Sequence, residues 1–256
     1  MIKIKNKEEI KIMVASGHIL AEVLTEVLKY VKPGISELEL DSLAEKLIIE
    51  KGGEPGFKKV PGYKHAICVS TNDVVVHGVP SGYRLKEGDI IGIDCGVYYK
   101  GFHSDMSETI RVKSENSKVK TNDLIDKFLQ TGKKALEEGI KAAKLGNHVG
   151  DISKTIQDIV EGNGYSVVRS LVGHGVGRDL HEEPEVPGYL MGSINKTPIL
   201  KEGMVMAVEV IYNMGKSEVV QEDADGWSIK TEDGSLSGVF ERTLAIIKNG
   251  PLVLTK

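Results

Sequence analysis

"KEGDIIGIDCGVYYKGFHSDMSETI", residues 86–110, sets two aspartates, Asp94 and Asp105, into what otherwise reads as two apolar strands joined at Lys100-Gly101. Side chains alternate across a strand, and a two-residue hairpin turn fixes the pairing outward from itself. With Lys100-Gly101 as that turn, Tyr99 faces Phe102 and Asp94 faces Ser107. Asp105 lies two residues from Ser107, so both carboxylates project from one face as diagonal neighbours, while Cys95 points to the other. Carboxylates this close repel unless a cation or a proton stands between them. A single aspartate so placed could as well cap a turn or pair with an arginine.

The opening of this stretch recurs. "KEGDIIGID" at 86–94 and "KEGMVMAVE" at 201–209 share Lys-Glu-Gly, five residues and an acid. The segments before them repeat as well. Apolar residues at 10, 13, 14, 20, 23, 24, 27, 28 and 31 predict a helix from Lys7 to Val31, capped by Asn6 with Glu9 and stopped at Lys32-Pro33-Gly34. Ser36 with Glu39 caps a second helix through Leu38, Leu43, Leu47 and Ile48, closed by Gly52-Gly53. Further on, a helix from about Asn122 to Lys144 breaks at Gly146-Asn147, and another runs from Asp151 to about Glu161. One shift places Gly34 on Gly146, Leu40 on Ile152, Leu47 on Ile159 and Gly52 on Gly164. The expectation is an α+β fold in one domain, 1–256. Two pseudo-symmetric helix-helix-strand halves, about 1–115 and 116–256, share a central, mainly antiparallel sheet. Asp94 and Glu209 then face a common cleft across a pseudo-twofold axis.

Composition narrows the setting. The 33 basic and 37 acidic residues give a net charge of -4, which leaves no electrostatic footprint for nucleic acid or an anionic membrane. Cys68 and Cys95 form neither a disulfide framework nor a zinc-ribbon spacing. The N-terminus lacks an apolar signal core, and no run reaches the ~20 apolar residues of a membrane span. The expected compartment is the reducing cytoplasm.

More acids fall where apolar residues belong. "MVMAVEVIY" is apolar on both alternating faces, a strand covered on both sides, yet it holds Glu209. Burying an unpaired carboxylate costs several kcal/mol as an order of magnitude, so a partner is required. Glu241 repeats the case in "GVFERTLAII", and Arg242, its neighbour, points to the opposite face. "LVGHGVGRDLHEEP" holds His174 between glycines, with His181 seven residues on, and His77 ends the apolar run of "NDVVVHGVP". An oxygen-rich set with one imidazole suits divalent Mn, Fe, Co or Zn, and four carboxylates exceed what one such ion needs. Two ions bridged by carboxylates satisfy the set. His18, His65, His103 and His148 are expected to be surface or structural residues.

On these residues the chain resembles the type I methionine aminopeptidases, a family of the pita-bread fold shared with Xaa-Pro aminopeptidase, prolidase and creatinase. The motifs are "YVKPGIS", "CVSTNDVVVHGVP", "GDIIGIDCG" with "GFHSD", "GHGVGRDLHEEP" and "SLSGVFERT", spread from about Ile2 to the C-terminus. The resemblance implies metal ligation by Asp94, Asp105, His174, Glu209 and Glu241. Asp105 and Glu241 bridge two divalent ions, Asp94 serves mainly one, and His174 with Glu209 serve the other. It implies a bridging hydroxide as nucleophile, Glu209 as proton carrier, His181 beside the developing oxyanion and His77 on the scissile amide. One ion receives the substrate's free α-amine. Tyr63, Cys68 and Trp227 match the family's methionine pocket. The implied substrates are peptides and proteins with a free N-terminal methionine, and the implied state is a monomer in transient contact with the ribosome. The sequence departs from the family pattern at Val60 and Leu180, where aromatic residues are usual, and at Lys64, Val210 and Arg242. The alternatives are an Xaa-Pro aminopeptidase of the same fold, which carries an additional N-terminal domain, and a peptide-binding relative without catalysis.

Overall fold

Each half of the chain opens on two helices whose starts are fixed by caps. In the computed structural model, which describes residues 1–114, 123–222 and 224–256, the Asn6 side chain accepts from the N–H groups of Glu8 and Glu9. Glu9 accepts in return from the Asn6 N–H, and α1 (Lys7–Lys29) begins. Ser36 and Glu39 start α2 (Glu37–Glu50) in the same way. The strands β1 (Glu54–Pro55), β2 (Ile67–Thr71), β3 (Val74–Val76), β4 (Ile90–Tyr99) and β5 (Phe102–Arg111) complete the first half.

The second half begins with α3 (Leu124–Ala142), capped by the Asp123 side chain; its expected start at Asn122 lies outside the described residues. Then come α4 (Val149–Gly162), β6 (Ser166–Val167), β7 (Gly173–Gly175), β8 (Glu182–Val186) and β9 (Val205–Asn213). The chain ends with β10 (Val219–Gln221), β11 (Ile229–Thr231), β12 (Ser237–Ile247) and β13 (Gly250–Val253). His148 sits at the N-cap of α4, where its N–H donates to Asp151.

The main sheet runs β1-β4-β5-β12-β9-β7-β8, with β2 on β4, β13 on β12 and β6 on β9; β10-β11-β3 form a smaller sheet. Every pair is antiparallel among the described residues. The hairpin falls where the sequence puts it. Lys100 and Gly101 both have positive φ, 47° and 89°, as a type I′ turn requires, and Asp94 faces Ser107. The halves share their backbone turns too, since Gly88 and Gly203 of the two Lys-Glu-Gly triplets have φ of 92° and 87°. β4 and β5 of the first half thus mirror β9 and β12 of the second, with the seam between β5 and β12.

The helices cover one face of this sheet. Leu20, Leu24 and Ile48 of α1 and α2 pack with Ile93, Cys95 and Met106, while Phe128 and Ile152 of α3 and α4 pack with Val208, Val210 and Phe240. Alternation therefore turns Asp94, Asp105, Glu209 and Glu241 to the other face. One expectation is corrected. The buried stripe of α2 is Glu37, Leu40, Asp41, Ala44 and Ile48, whereas Leu38 is 43% exposed. The two buried acids are satisfied by loops: Glu37 accepts from Thr71 and Ser81, and Asp41 from the Ala66 and Ile67 N–H groups and bonds His65.

Candidate metal centre and substrate cavity

Strand register lays the acids in rows. Across the sheet, Cys68 of β2 lies opposite Asp94, Asp94 opposite Ser107, Ser107 opposite Glu241, and Glu241 opposite Glu209. Two residues along each strand a second row runs parallel: Gly96 opposite Asp105, then Thr243 opposite Ala207 and Ala207 opposite His174. The Thr243 hydroxyl closes this row, accepting the Asp105 N–H at 2.9 Å and donating to the Asp105 carbonyl at 2.7 Å. Ligand atoms of Asp105, His174 and Glu241 lie within 4.8 Å of one another, and His174 Nε2 is 3.9 Å from Asp105 Oδ2.

The electrostatics of the rows call for a cation. Burial pushes the carboxyls of Asp94, Asp105, Glu209 and Glu241 above the usual range, and their mutual repulsion raises Asp105, Glu209 and Glu241 further. Asp94 Oδ1 is buried with no hydrogen-bond partner, and so is the Ser107 hydroxyl between the two halves. Arg242 does not neutralise the set. Its guanidinium reaches Glu108 at 2.8 Å and the carbonyls of Ser107 and Glu241, on the far face. His174 is oriented as a ligand needs: the Gly175 carbonyl, 2.9 Å from Nδ1, can only accept, so Nδ1 carries the proton and Nε2 offers a lone pair. Burial, helped by nearby His181, lowers the His174 pKa to about 4 and keeps the ring neutral. An orphaned carboxylate oxygen, repelling acids and a neutral imidazole fit divalent cations.

Beside the acids lies a cavity of about 200 Å³. Phe57, Tyr63, Cys68, Leu180 and Trp227 wall it, with the Tyr63 and Trp227 rings edge-to-face at 5.2 Å. The Tyr63 hydroxyl donates to the Ile67 carbonyl, which turns the ring's apolar body to the cavity. His77 and His181 stand at the accessible side, and His181 meets the His174 ring at 4.4 Å. Partial burial lowers both pKa values, so both rings are neutral near pH 7. His77 adopts φ of 56°, a left-handed conformation costing ~1–3 kcal/mol that sites often hold.

All the expected site residues therefore border one cavity. Val60 and Leu180 sit in its wall; Lys64 is exposed, and Val210 lies under the helices. Phe57, Leu171, Val172 and Ile211 also line it and were not expected. Ile211 was recoverable, being two residues from Glu209 on the same strand face. Phe57, in a single 3₁₀ turn, carries no periodic signal.

An acid-and-imidazole centre of this kind, open to a side-chain-sized cavity, is the setting a metallopeptidase uses. The sequence pattern of Metallopeptidase family M24 matches residues 11–238. Over 255 residues the chain is 44% identical to a methionine aminopeptidase of Clostridium perfringens, covering 100% of this chain and 99% of that one. The crystal structure of a methionine aminopeptidase from Thermotoga maritima superposes with a TM-score of 0.93 at 39% identity, covering 100% of both chains. A prolidase from Pyrococcus horikoshii shares the fold at a TM-score of 0.75 and 25% identity, covering 99% of this chain and 63% of that one. The chain belongs to metallopeptidase family M24 and, within it, to the methionine aminopeptidases. Among the described residues no helix is long and apolar enough to cross a membrane.

Proposed function

We propose that this chain, as one catalytic domain, 1–256, of two halves (about 1–115 and 116–256), removes the N-terminal methionine of polypeptides by hydrolysing the first peptide bond. The observation that carries this is the pair of parallel rows that places Asp94, Glu241, Glu209, Asp105 and His174 beside one apolar cavity. These five residues would hold two divalent cations of Co, Mn, Fe or Zn, with Asp105 and Glu241 shared. When bound, such cations supply the Lewis acidity that makes water a nucleophile near neutral pH and polarises the first carbonyl.

The chain's own groups do the rest. Glu209 takes the proton from the attacking water and returns it to the leaving nitrogen. His181, a neutral N–H donor, meets the carbonyl oxygen as negative charge develops, and His77 holds the scissile amide. Tyr63, Trp227 and Phe57 offer ring edges to a thioether, which favours such contacts, and Cys68 and Leu180 close the cavity. Val60 and Leu180 widen the wall relative to aromatic residues and loosen the preference for methionine. The protein acts as a cytoplasmic monomer on chains with a free N-terminal methionine, in passing contact with the ribosome.

Purified protein, stripped of metal and reloaded with Mn, Fe or Co, should release methionine from Met-Ala-X peptides. No metal-dependent release from Met-Ala-X or Ala-Pro-X would end the peptidase reading. Release of alanine without methionine would move the assignment to an Xaa-Pro aminopeptidase.

A further inference from the structure

The loop that carries His181 is fastened from outside the cavity. Glu182, next to His181, has a side chain 1% exposed, and one of its carboxylate oxygens receives Lys5 Nζ at 2.7 Å; the Lys5 side chain is 5% exposed. The other oxygen accepts the N–H groups of Arg178 at 3.0 Å and Asp179 at 3.3 Å, which folds the loop on itself. Lys5 is fixed in turn, its N–H donating to the Gly203 carbonyl at 2.8 Å in the turn before β9. The ion pair rests on the loop backbone: a Cβ at Gly177 would fall 2.5 Å from Lys5 Cε and 2.7 Å from Glu182 Oε1. Lys3 of the same N-terminal arm pairs with Asp179 at 2.6 Å and stands 3.4 Å from the second Glu182 oxygen, and Glu9 in the first turn of α1 pairs with Arg178. Neither Lys5 nor Glu182 lines the cavity, but Leu180 and His181 do.

We propose that the buried Lys5–Glu182 pair is a positioning clamp, through which the N-terminal arm sets where His181 and Leu180 stand against the substrate. Removing Lys5 leaves the buried Glu182 carboxylate with only the half-exposed Lys3 ammonium near it, 3.4 Å away, and removing the Glu182 charge strands the buried Lys5. Glu182 then turns toward water and draws the adjacent His181 with it. The kinetic part of the test rests on the proposed hydrolysis; the spectroscopic part does not.

Lys5→Met keeps the aliphatic stem and removes the ammonium, while Lys5→Arg keeps the charge. Lys5→Met should lower kcat/KM on Met-Ala-X by about 10- to 100-fold, as a displacement of about 1 Å does, and Lys5→Arg should recover most of it. Cation affinity of the stripped protein, by calorimetry, should stay within about twofold of the parent. The ring resonances of His181, assigned with His181→Asn, should shift in Lys5→Met while those of His77 stay. Where Lys5→Met does not fold, Glu182→Gln takes its place. An unmoved His181 resonance overturns the clamp. So does a shift of both histidines with a matching loss of cation affinity, which marks general loosening. A parent that releases no methionine refutes the hydrolysis reading alone, and the resonances still decide the clamp.

Discussion

The two halves meet along β5 and β12, and two threonines hold that seam. The strands stay in register at Glu241 with Ser107 and Arg242 with Met106, whereas β12 and β9 pair continuously from Ser237 to Ala245. On either side of the short register a buried hydroxyl replaces the ladder. Thr243 bonds the Asp105 N–H and carbonyl at 2.9 and 2.7 Å, and Thr109 bonds those of Val239 at the same two distances. Thr243→Val keeps the shape of the side chain and leaves both Asp105 groups buried without partners. Each such group costs ~1–3 kcal/mol, so the stripped protein should lose about 2–4 kcal/mol after partial relaxation. For a chain of this length that is a fall of roughly 4–16 °C in melting temperature. Thr109→Val breaks a matching pair and should cost the same. Of the two, Thr243 alone holds the backbone of a proposed ligand, so Thr243→Val should also weaken cation binding by about 10- to 100-fold, as groups that orient ligands do. Urea unfolding measures the first effect and calorimetric titration with Mn the second, and Thr243→Ser should restore both. Equal cation affinity in the two valine variants would refute the reasoning.

Asp105→Ala should stay folded and lose methionine release by about 10³-fold or more, several kcal/mol of barrier. Because it relieves repulsion among buried acids, the stripped variant should melt no lower than its parent; retained activity would remove Asp105 from the centre. Gly96→Ala would place a Cβ 2.6 Å from the Phe57 ring, so the ring must shift and the cavity wall it forms must move with it. A loss of ~1–3 kcal/mol and a raised KM for Met-Ala-X are expected, and an unchanged KM would contradict the assignment of Phe57 to the wall. Burial works to raise the Glu182 carboxyl, but the Lys5 ammonium, the Asp179 N–H and the Lys3 ammonium together hold the pKa below the ordinary 4.5. A folded pKa below the unfolded one gives stability that is present above about pH 4.5 and lost as pH falls through the folded value. Glu182→Gln should therefore flatten the decline of melting temperature below about pH 4.5, and an unaltered slope would show that the pair adds nothing.

What was legible in the sequence was whatever two or three residues decide locally. A glycine in a two-residue turn fixed the β4–β5 register, and strand parity then placed Asp94, Asp105 and Cys95 on their observed faces. The caps at Asn6 and Ser36 and the recurring Lys-Glu-Gly triplet were equally local. The seam was not, since pairing β5 with β12 joins Ser107 to Glu241 across more than half the chain, and no period records it. Nor were the walls contributed by loops, such as Phe57, or the left-handed backbone of His77.

The acids show most clearly where sequence patterns end. Glu37, Asp41 and Glu182 look like first-turn or surface charges, yet folding surrounds them with hydroxyls, N–H groups or an ammonium, and each ties down a loop at the cavity. Asp94 and Glu241 are acids of the same kind, set in apolar strands. For Asp94 Oδ1 no donor arrives, and the basic side chain beside Glu241 turns away to Glu108. A buried carboxylate that receives a full set of donors becomes structure, and a cluster that receives little beyond the Met106 N–H on Asp105 is left open to a cation. The difference lies in which donors the fold delivers, so residue type and spacing nominate a metal centre and the hydrogen-bond accounting supports it.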